Sequence, residues 1–206
     1  MTARLALWLV RADPAPPPAL LDAGERRRAR ALAGVTERNR YVAAHTALRE
    51  QLAARLGVAP QRVELTREPC PMCGAPHGRP AVVGGAAYFS LAYSDDLALV
   101  AVADAPVGVD IERVPPPGVV DGLLPHLHPR ERDELVALPE SERPSAFART
   151  WVRKEAYLKG LGTGLGRGLS TDYVGTGATP TTTSPRWIIA EVEVGSLRAA
   201  AIAVSP

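Results

Sequence analysis

Gly108-Val-Asp-Ile-Glu-Arg113 alternates apolar and charged side chains between prolines at Pro106 and Pro115-Pro116-Pro117. It therefore reads as a short strand over Val107 to Val114. Residues two apart on a strand face the same side, so Asp110 and Glu112 point together while Val109 and Ile111 point oppositely. Downstream stands Trp151-Val-Arg-Lys-Glu-Ala-Tyr-Leu-Lys159. Phe147, Trp151, Leu158 and Leu161 give this stretch a buried face and predict a helix from about Pro144 to Leu161. Glu155 and Lys159, four apart, share another face. Gly160, Gly162, Gly164, Gly166 and Gly168 then end the helix in a loop that allows close backbone approach.

Of the 24 basic residues, Lys154 and Lys159 are the only lysines; the rest are arginines. An ammonium is a compact point charge and a guanidinium a wide planar fork, so the two are not interchangeable at a crowded site. Two carboxylates from a strand face and a third from a helix can share a hard cation. Oxygen ligands favour Mg²⁺ or Mn²⁺, which keep waters and phosphate oxygens in their remaining positions. Lys154 and Lys159 can neutralise a phosphate on that ion, which is electrostatic and Lewis-acid catalysis at phosphorus. The competing reading makes Asp110 and Glu112 surface residues and Glu155–Lys159 an exposed helical pair worth only ~0.3–0.5 kcal/mol.

At 206 residues, with 46% hydrophobic and 22% charged side chains, the chain fits a soluble globular protein of one large or two small domains. A net charge of +2 is too small to argue for a nucleic-acid partner. Arg26, Arg27, Arg28, Arg30, Arg38 and Arg40 crowd the N-terminal third, as a solvated helix face or as an anion site. The apolar run from Met1 to Val10 is too short for a signal segment, and the uncharged stretch from Pro80 to Ser94 is too short to span a bilayer. The expectation is a cytoplasmic protein with no membrane partner. Cys70, Cys73 and His77 resemble half of a zinc site, but no second Cys-containing half exists. The alternative is a tight turn with reduced thiols.

The remaining chain alternates helices and strands. Leu5 to Val10 reads as a strand, Pro14 to Pro18 as a loop and Leu20 to Ala33 as a basic helix. Tyr41, Ala44, Leu48, Leu52 and Leu56 line one face of a longer helix from about Glu37, ended by Gly57. Arg67 to Pro80 is expected to be loop. Ala86 to Leu91 and Leu97 to Val102 form a hairpin across Tyr93-Ser-Asp-Asp96. Pro129 to Leu138 suggests a helix, and Trp187 to Val194 pairs antiparallel with Leu197 to Val204. Each half thus runs through helices into an Ala/Val-rich strand, an α+β arrangement.

Gly108 to Arg113 followed by Trp151 to Lys159 and Gly162-Thr-Gly-Leu165 resembles the signature pair of the 4′-phosphopantetheinyl transferases, in the pseudo-dimeric, surfactin-synthetase-activating form. His77-Gly-Arg-Pro80, Phe89-Ser-Leu-Ala-Tyr-Ser94 and Pro129 to Glu131 extend the match, which spans roughly residues 20 to 175. The resemblance implies two similar α/β halves, residues 1–105 and 106–206, with the active site in the cleft between them. It implies transfer of the phosphopantetheine arm of coenzyme A to a serine of an apo acyl or peptidyl carrier protein, releasing adenosine 3′,5′-bisphosphate. By motif position Asp110, Glu112 and Glu155 would hold Mg²⁺. Glu155, or a water it orients, would take the serine proton, and Lys159 would stabilise the transferred phosphate with Lys154 close by. Arg28, Arg30, His45, Arg79 and Tyr93 fall where the family contacts the coenzyme. The chain is expected to be a monomer.

The chain departs from the family pattern in three places. Arg79 stands in place of the common Lys, His45 in place of an Arg, and Ala92-Tyr93 in place of Ser-His. A Tyr hydroxyl donates one hydrogen bond but carries no imidazolium charge. The expectation is weaker coenzyme binding or compensation by a neighbouring Arg. Val119 to Leu127 is the expected docking segment for an acidic carrier helix. Two other readings stay open: a different Mg²⁺-dependent phosphodiesterase-type enzyme, and a zinc-dependent binding module organised by Cys70, Cys73 and His77.

Overall fold

In the computed structural model, which describes residues 4–182 and 184–205, the N-terminal part opens with β1 (Leu5–Arg11), α1 (Ala23–Ala31) and α2 (Val35–Leu56). The two-stranded β2 (Leu65–Arg67) and β3 (Pro80–Val82) follow, then the hairpin β4 (Tyr88–Ser94) and β5 (Leu97–Ala103). The C-terminal part runs β6 (Val107–Arg113), α3 (Pro117–Leu123), α4 (Pro129–Val136), α5 (Arg143–Leu161), β7 (Ile188–Glu191) and β8 (Arg198–Val204).

The expected helices and strands form, except that Tyr93 and Ser94, placed in the hairpin turn by the sequence reading, pair with Ala98 and Leu97 as the end of β4; local chemistry sets the ends. The basic helix begins at Ala23 rather than Leu20 because Asp22 and Glu25 build a reciprocal capping box. Gly57 and Gly162 stop α2 and α5 in the left-handed conformation, with φ of 68° and 78°. Arg67 to Pro80 is not simply loop. Its ends pair as β2 and β3, leaving Cys70, Cys73 and His77 in the segment between them.

Two antiparallel three-stranded sheets have the orders β1-β5-β4 and β6-β8-β7. Both set the first strand beside the last and the penultimate strand on its other side. Side-chain alternation along β5 explains how the sheets stack. Ala98, Val100 and Val102 face Ala44, Leu48 and Leu52 of α2. Leu99 and Ala101 face the other way, onto Val109, Ile111 and Ile202 of the second sheet. That sheet's far side, through Ala201 and Ala203, packs on Val152 and Ala156 of α5. The order is helix, sheet, sheet, helix, so β5 is buried along its whole length. No helix among the described residues is long and apolar enough to cross a membrane.

Candidate active site

Gly108 decides where the acids go. A Cβ built there would lie 1.9 Å from the Ala156 carbonyl oxygen and 2.4 Å from the Gly160 nitrogen. Only a glycine lets β6 press this closely on α5. Gly108, Asp110 and Glu112 share one strand face, so the same contact turns both carboxylates toward the helix that carries Glu155 and Lys159.

Lys159 Nζ lies 2.6 Å from Asp110 Oδ1. Asp110 is 4% exposed, and its second oxygen, Oδ2, is buried with no hydrogen-bond partner. Burial raises the Asp110 pKa against the opposing pull of Lys159. Glu112 is pushed up to about 6, by partial desolvation first and then by repulsion from Asp110 and Glu155. Glu155 is raised by burial and by Asp110, with Lys159 again opposing. Three mutually repelling carboxylates beside one ammonium lack a positive charge.

A divalent cation fits that deficit. The donors are all oxygens, and Asp110 Oδ2 is an orphaned lone pair of the kind a metal satisfies. The acids are not drawn into a closed cage. Among the described residues, the one group of three His, Cys, Asp or Glu donors lying within 4.8 Å of one another is Cys70, Cys73 and His77, not the acids. A looser acidic site suits Mg²⁺, which typically takes one or two carboxylates directly and fills the rest with water and phosphate oxygens.

Lys159 also lines a cavity of about 470 Å³. His77, Arg79 and the Phe89-Ser-Leu91 segment form one side, with Thr163 and Gly164 beyond the end of α5 on the other. Arg79 donates to the Gly160 carbonyl at 2.7 Å, pairs with Glu68 at 2.8 Å and lies over the Tyr88 ring. Its guanidinium is thereby fixed at the cavity edge.

The other expected coenzyme contacts divide. His45 bonds Glu25 at 2.8 Å and stacks on Tyr41 with ring centroids 4.0 Å apart. Tyr93 lies under the Arg40 guanidinium, 5.3 Å from ring centroid to Cζ, and burial raises its pKa. Arg28 acts electrostatically on Tyr41, so Arg28, His45 and Tyr93 belong to one neighbourhood. Tyr93 follows Leu91 on the same strand face, about 7 Å along the strand, and does not line the cavity. Arg30 is exposed in the last turn of α1.

Lys154 requires a correction. It was expected close to the phosphate, but it is 2% exposed and bonded to Glu131 at 2.7 Å and to the Asp172 carbonyl. This ammonium is buried and committed to two protein oxygens, and it does not line the large cavity. The docking segment is also divided. Val120, Leu124 and Leu127 are buried in a local core, whereas Val119 and Leu123 line a surface cavity with Trp151 and Glu112.

Glu131, Ser90 and Thr163 lie in segments quoted above as matching the family, but sequence reasoning gave none of them a role. Glu131 is fully buried, holds Lys154 and accepts the Val174 N–H at 2.7 Å. Its place three residues after His128, the capping-box spacing, and at the end of the matching segment Pro129 to Glu131 were the signals that could have found it. The Ser90 hydroxyl accepts the Val109 N–H at 3.1 Å and ties β4 to β6. Thr163 lines the large cavity, and its hydroxyl is buried without a partner.

Residues 106–188 match the family model of the 4′-phosphopantetheinyl transferase superfamily. The 4′-phosphopantetheinyl transferase HetI of Nostoc sp. is 31% identical over 175 residues, covering 82% of this chain and 71% of the relative. This chain belongs to the 4′-phosphopantetheinyl transferase superfamily. A putative 4′-phosphopantetheinyl transferase of Synechocystis sp. is 28% identical over 74% of this chain and 61% of its own length. The 4′-phosphopantetheinyl transferase psf-1 of Bacillus pumilus is 35% identical over 86 residues, 41% of this chain and 36% of that one. As a superfamily member the chain is a transferase, and the family match contains Asp110, Glu112, Glu155 and Lys159.

Proposed function

We propose that the protein transfers the 4′-phosphopantetheine arm of coenzyme A to a serine of an apo acyl or peptidyl carrier protein. The observation that carries this reading is the buried, half-unpaired carboxylate of Asp110. It bonds Lys159, which lines the 470 Å³ cavity, and it raises the pKa of both Glu112 and Glu155. The repeated strand order supports two similar halves, residues 1–105 and 106–206, with the coenzyme in the cleft between them.

Asp110, Glu112 and Glu155 would hold Mg²⁺, or Mn²⁺, which supplies Lewis-acid polarisation of the pyrophosphate and neutralises its charge. Glu155 accepts the serine proton, directly or through one water; its raised pKa brings its basicity closer to that task. The serine oxygen bonds to the phosphorus of the phosphopantetheine unit, the bridging P–O bond breaks, and adenosine 3′,5′-bisphosphate leaves with the bonding electrons. Lys159 places its ammonium against the charge that grows on the transferred phosphate. Arg79 clamps the coenzyme's phosphates at the cavity edge, and Arg28, Arg30, His45 and Tyr93 contact its nucleotide end. Val119, Leu123 and Trp151 offer the apolar seat for the carrier helix, next to Glu112. The protein works as a monomer in the cytoplasm.

Incubation with coenzyme A, Mg²⁺ and a panel of apo carrier proteins, read by intact mass, tests the proposal. The expected result is a carrier mass increase matching one arm, abolished by chelator or by Asp110→Ala. Unmodified carriers with release of free phosphopantetheine would replace the transferase by a phosphodiesterase.

A further inference from the structure

The hairpin formed by β2 and β3 does not end where its ladder ends. Glu68 N donates to the Arg79 carbonyl at 3.0 Å, and Gly78 N donates to the Glu68 carbonyl at 2.9 Å, carrying the two chains closer together. A Cβ at Gly78 would meet the carbonyl oxygens of Glu68 and Pro69 at 2.6 and 2.8 Å, so the approach requires glycine. Beyond this neck the chain folds into a tight turn. Cys70 N donates to the Ala75 carbonyl at 2.7 Å and Gly74 N to the Cys70 carbonyl at 2.8 Å. Gly74 takes a φ of 74°.

That turn gathers Cys70, Cys73 and His77, whose donor atoms all lie within 4.8 Å of one another. Cys73 Sγ is 3.1 Å from His77 Nε2, and both cysteines are free thiols. The backbone N–H groups of Met72 and Cys73 are aimed at the Cys70 sulfur, an arrangement that favours a sulfur carrying negative charge. Zn–S bonds of about 2.3 Å and Zn–N bonds near 2.0 Å put tetrahedral ligands about 3.6–3.8 Å apart. The Cys73–His77 pair, at 3.1 Å, would open by about half an ångström around a central ion, and no pair, at 4.8 Å or less, would have to close by more than about an ångström. Two thiolates and an imidazole select a borderline-soft cation over Mg²⁺.

We infer that Cys70, Cys73 and His77 bind one Zn²⁺, with water at the fourth position, and that this ion braces the wall of the large cavity. Cys73 and His77 are exposed, so solvent reaches the open position. The consequence for the cavity follows from connectivity. His77, Gly78 and Arg79 line it, and the Met72 sulfur lies 3.5 Å from where a Cβ on Gly166 would stand. The turn thus touches the loop that follows α5, and pinning it fixes both sides of the entrance. The consequence for coenzyme binding rests on the transferase reading; binding of zinc does not.

The test measures metal content of the full chain purified from zinc-supplemented cells and dialysed without chelator. About one equivalent of zinc is expected, falling to near none in Cys73→Ser and in His77→Ala. Both are exposed positions, so circular dichroism should report an intact fold. Cobalt substitution should give an intense thiolate-to-metal absorption that disappears in Cys73→Ser. Less than a tenth of an equivalent with no cobalt band, a Cys70–Cys73 disulfide in its place, or zinc retained equally by both variants would each overturn the proposal. None of these readouts depends on carrier modification, so failure of the zinc site and failure of the transferase reading remain distinguishable.

Discussion

Lys159 Nζ rests 2.6 Å from one oxygen of Asp110 while the other oxygen of the same carboxylate is buried without a partner. The ammonium thus holds one half of a carboxylate whose other half has no hydrogen-bond partner of its own. A guanidinium placed there would spread over both the carboxylate and the cavity wall. Lys159→Arg should lower kcat at least about tenfold, equivalent to ~1.4 kcal/mol of transition-state stabilisation, with the melting temperature nearly unchanged. Arg79→Lys should be mild. Equal, small effects of the two in steady-state kinetics would remove the case for an ammonium at this position.

Stability without a divalent cation should depend on pH through the acidic cluster. The folded Glu112 pKa, about 6, lies above its ordinary 4.5. A raised acid contributes stability that is fully present below its unfolded value and lost as pH climbs through the folded one. In chelator the melting temperature should therefore fall between pH 4.5 and 6. Added Mg²⁺ should restore it mainly above about pH 6, where the cluster is ionised and protons no longer compete. A Mg²⁺ stabilisation as large at pH 5 as at pH 8, by differential scanning fluorimetry, would contradict this.

Lys154 and Glu131 form a buried pair, so breaking it leaves an uncompensated charge. Lys154→Met should cost roughly 3–5 kcal/mol, lowering the melting temperature by several degrees or more. The KM for coenzyme A of the remaining folded enzyme should hardly move. A raised KM at unchanged melting temperature would return Lys154 to the coenzyme site.

Arg40 lies over Tyr93 and donates to the Asp95 carbonyl at 2.7 Å. It is the arginine placed to supply the charge that Tyr93 lacks. Arg40→Ala should raise the KM for coenzyme A roughly five- to tenfold, or about 1–1.4 kcal/mol, with little change in kcat. Tyr93→His should lower that KM. A rise in the second variant, measured at saturating carrier, would mean that the Tyr93 ring itself is a needed contact.

Gly108→Ala drives a methyl group into the backbone of α5, which cannot move aside as a side chain can. The expected loss is about 3 kcal/mol, a drop of roughly 6–12 °C. Wild-type stability in thermal unfolding would show that β6 and α5 are less closely apposed than the structure has them.

Local pattern was enough to place α2, α5, β6 and the β4–β5 hairpin, because periodicity, caps and turn residues act over a few neighbours. It also set Asp110 and Glu112 on one strand face, since alternation is a property of any strand. The same local rules place Lys154 only one residue from Glu155 and give no hint that its ammonium is spent on Glu131, a residue from another helix. Nor do they show that Gly108 presses β6 onto α5, that Thr163 faces the cavity, or that Arg40 covers Tyr93. Those facts are long-range. The sequence determined which chemistry-bearing groups are present and which way each leans from its own backbone. The packing of helix, sheet, sheet and helix decided which of them meet, because burial and pairing depend on what the rest of the chain brings alongside.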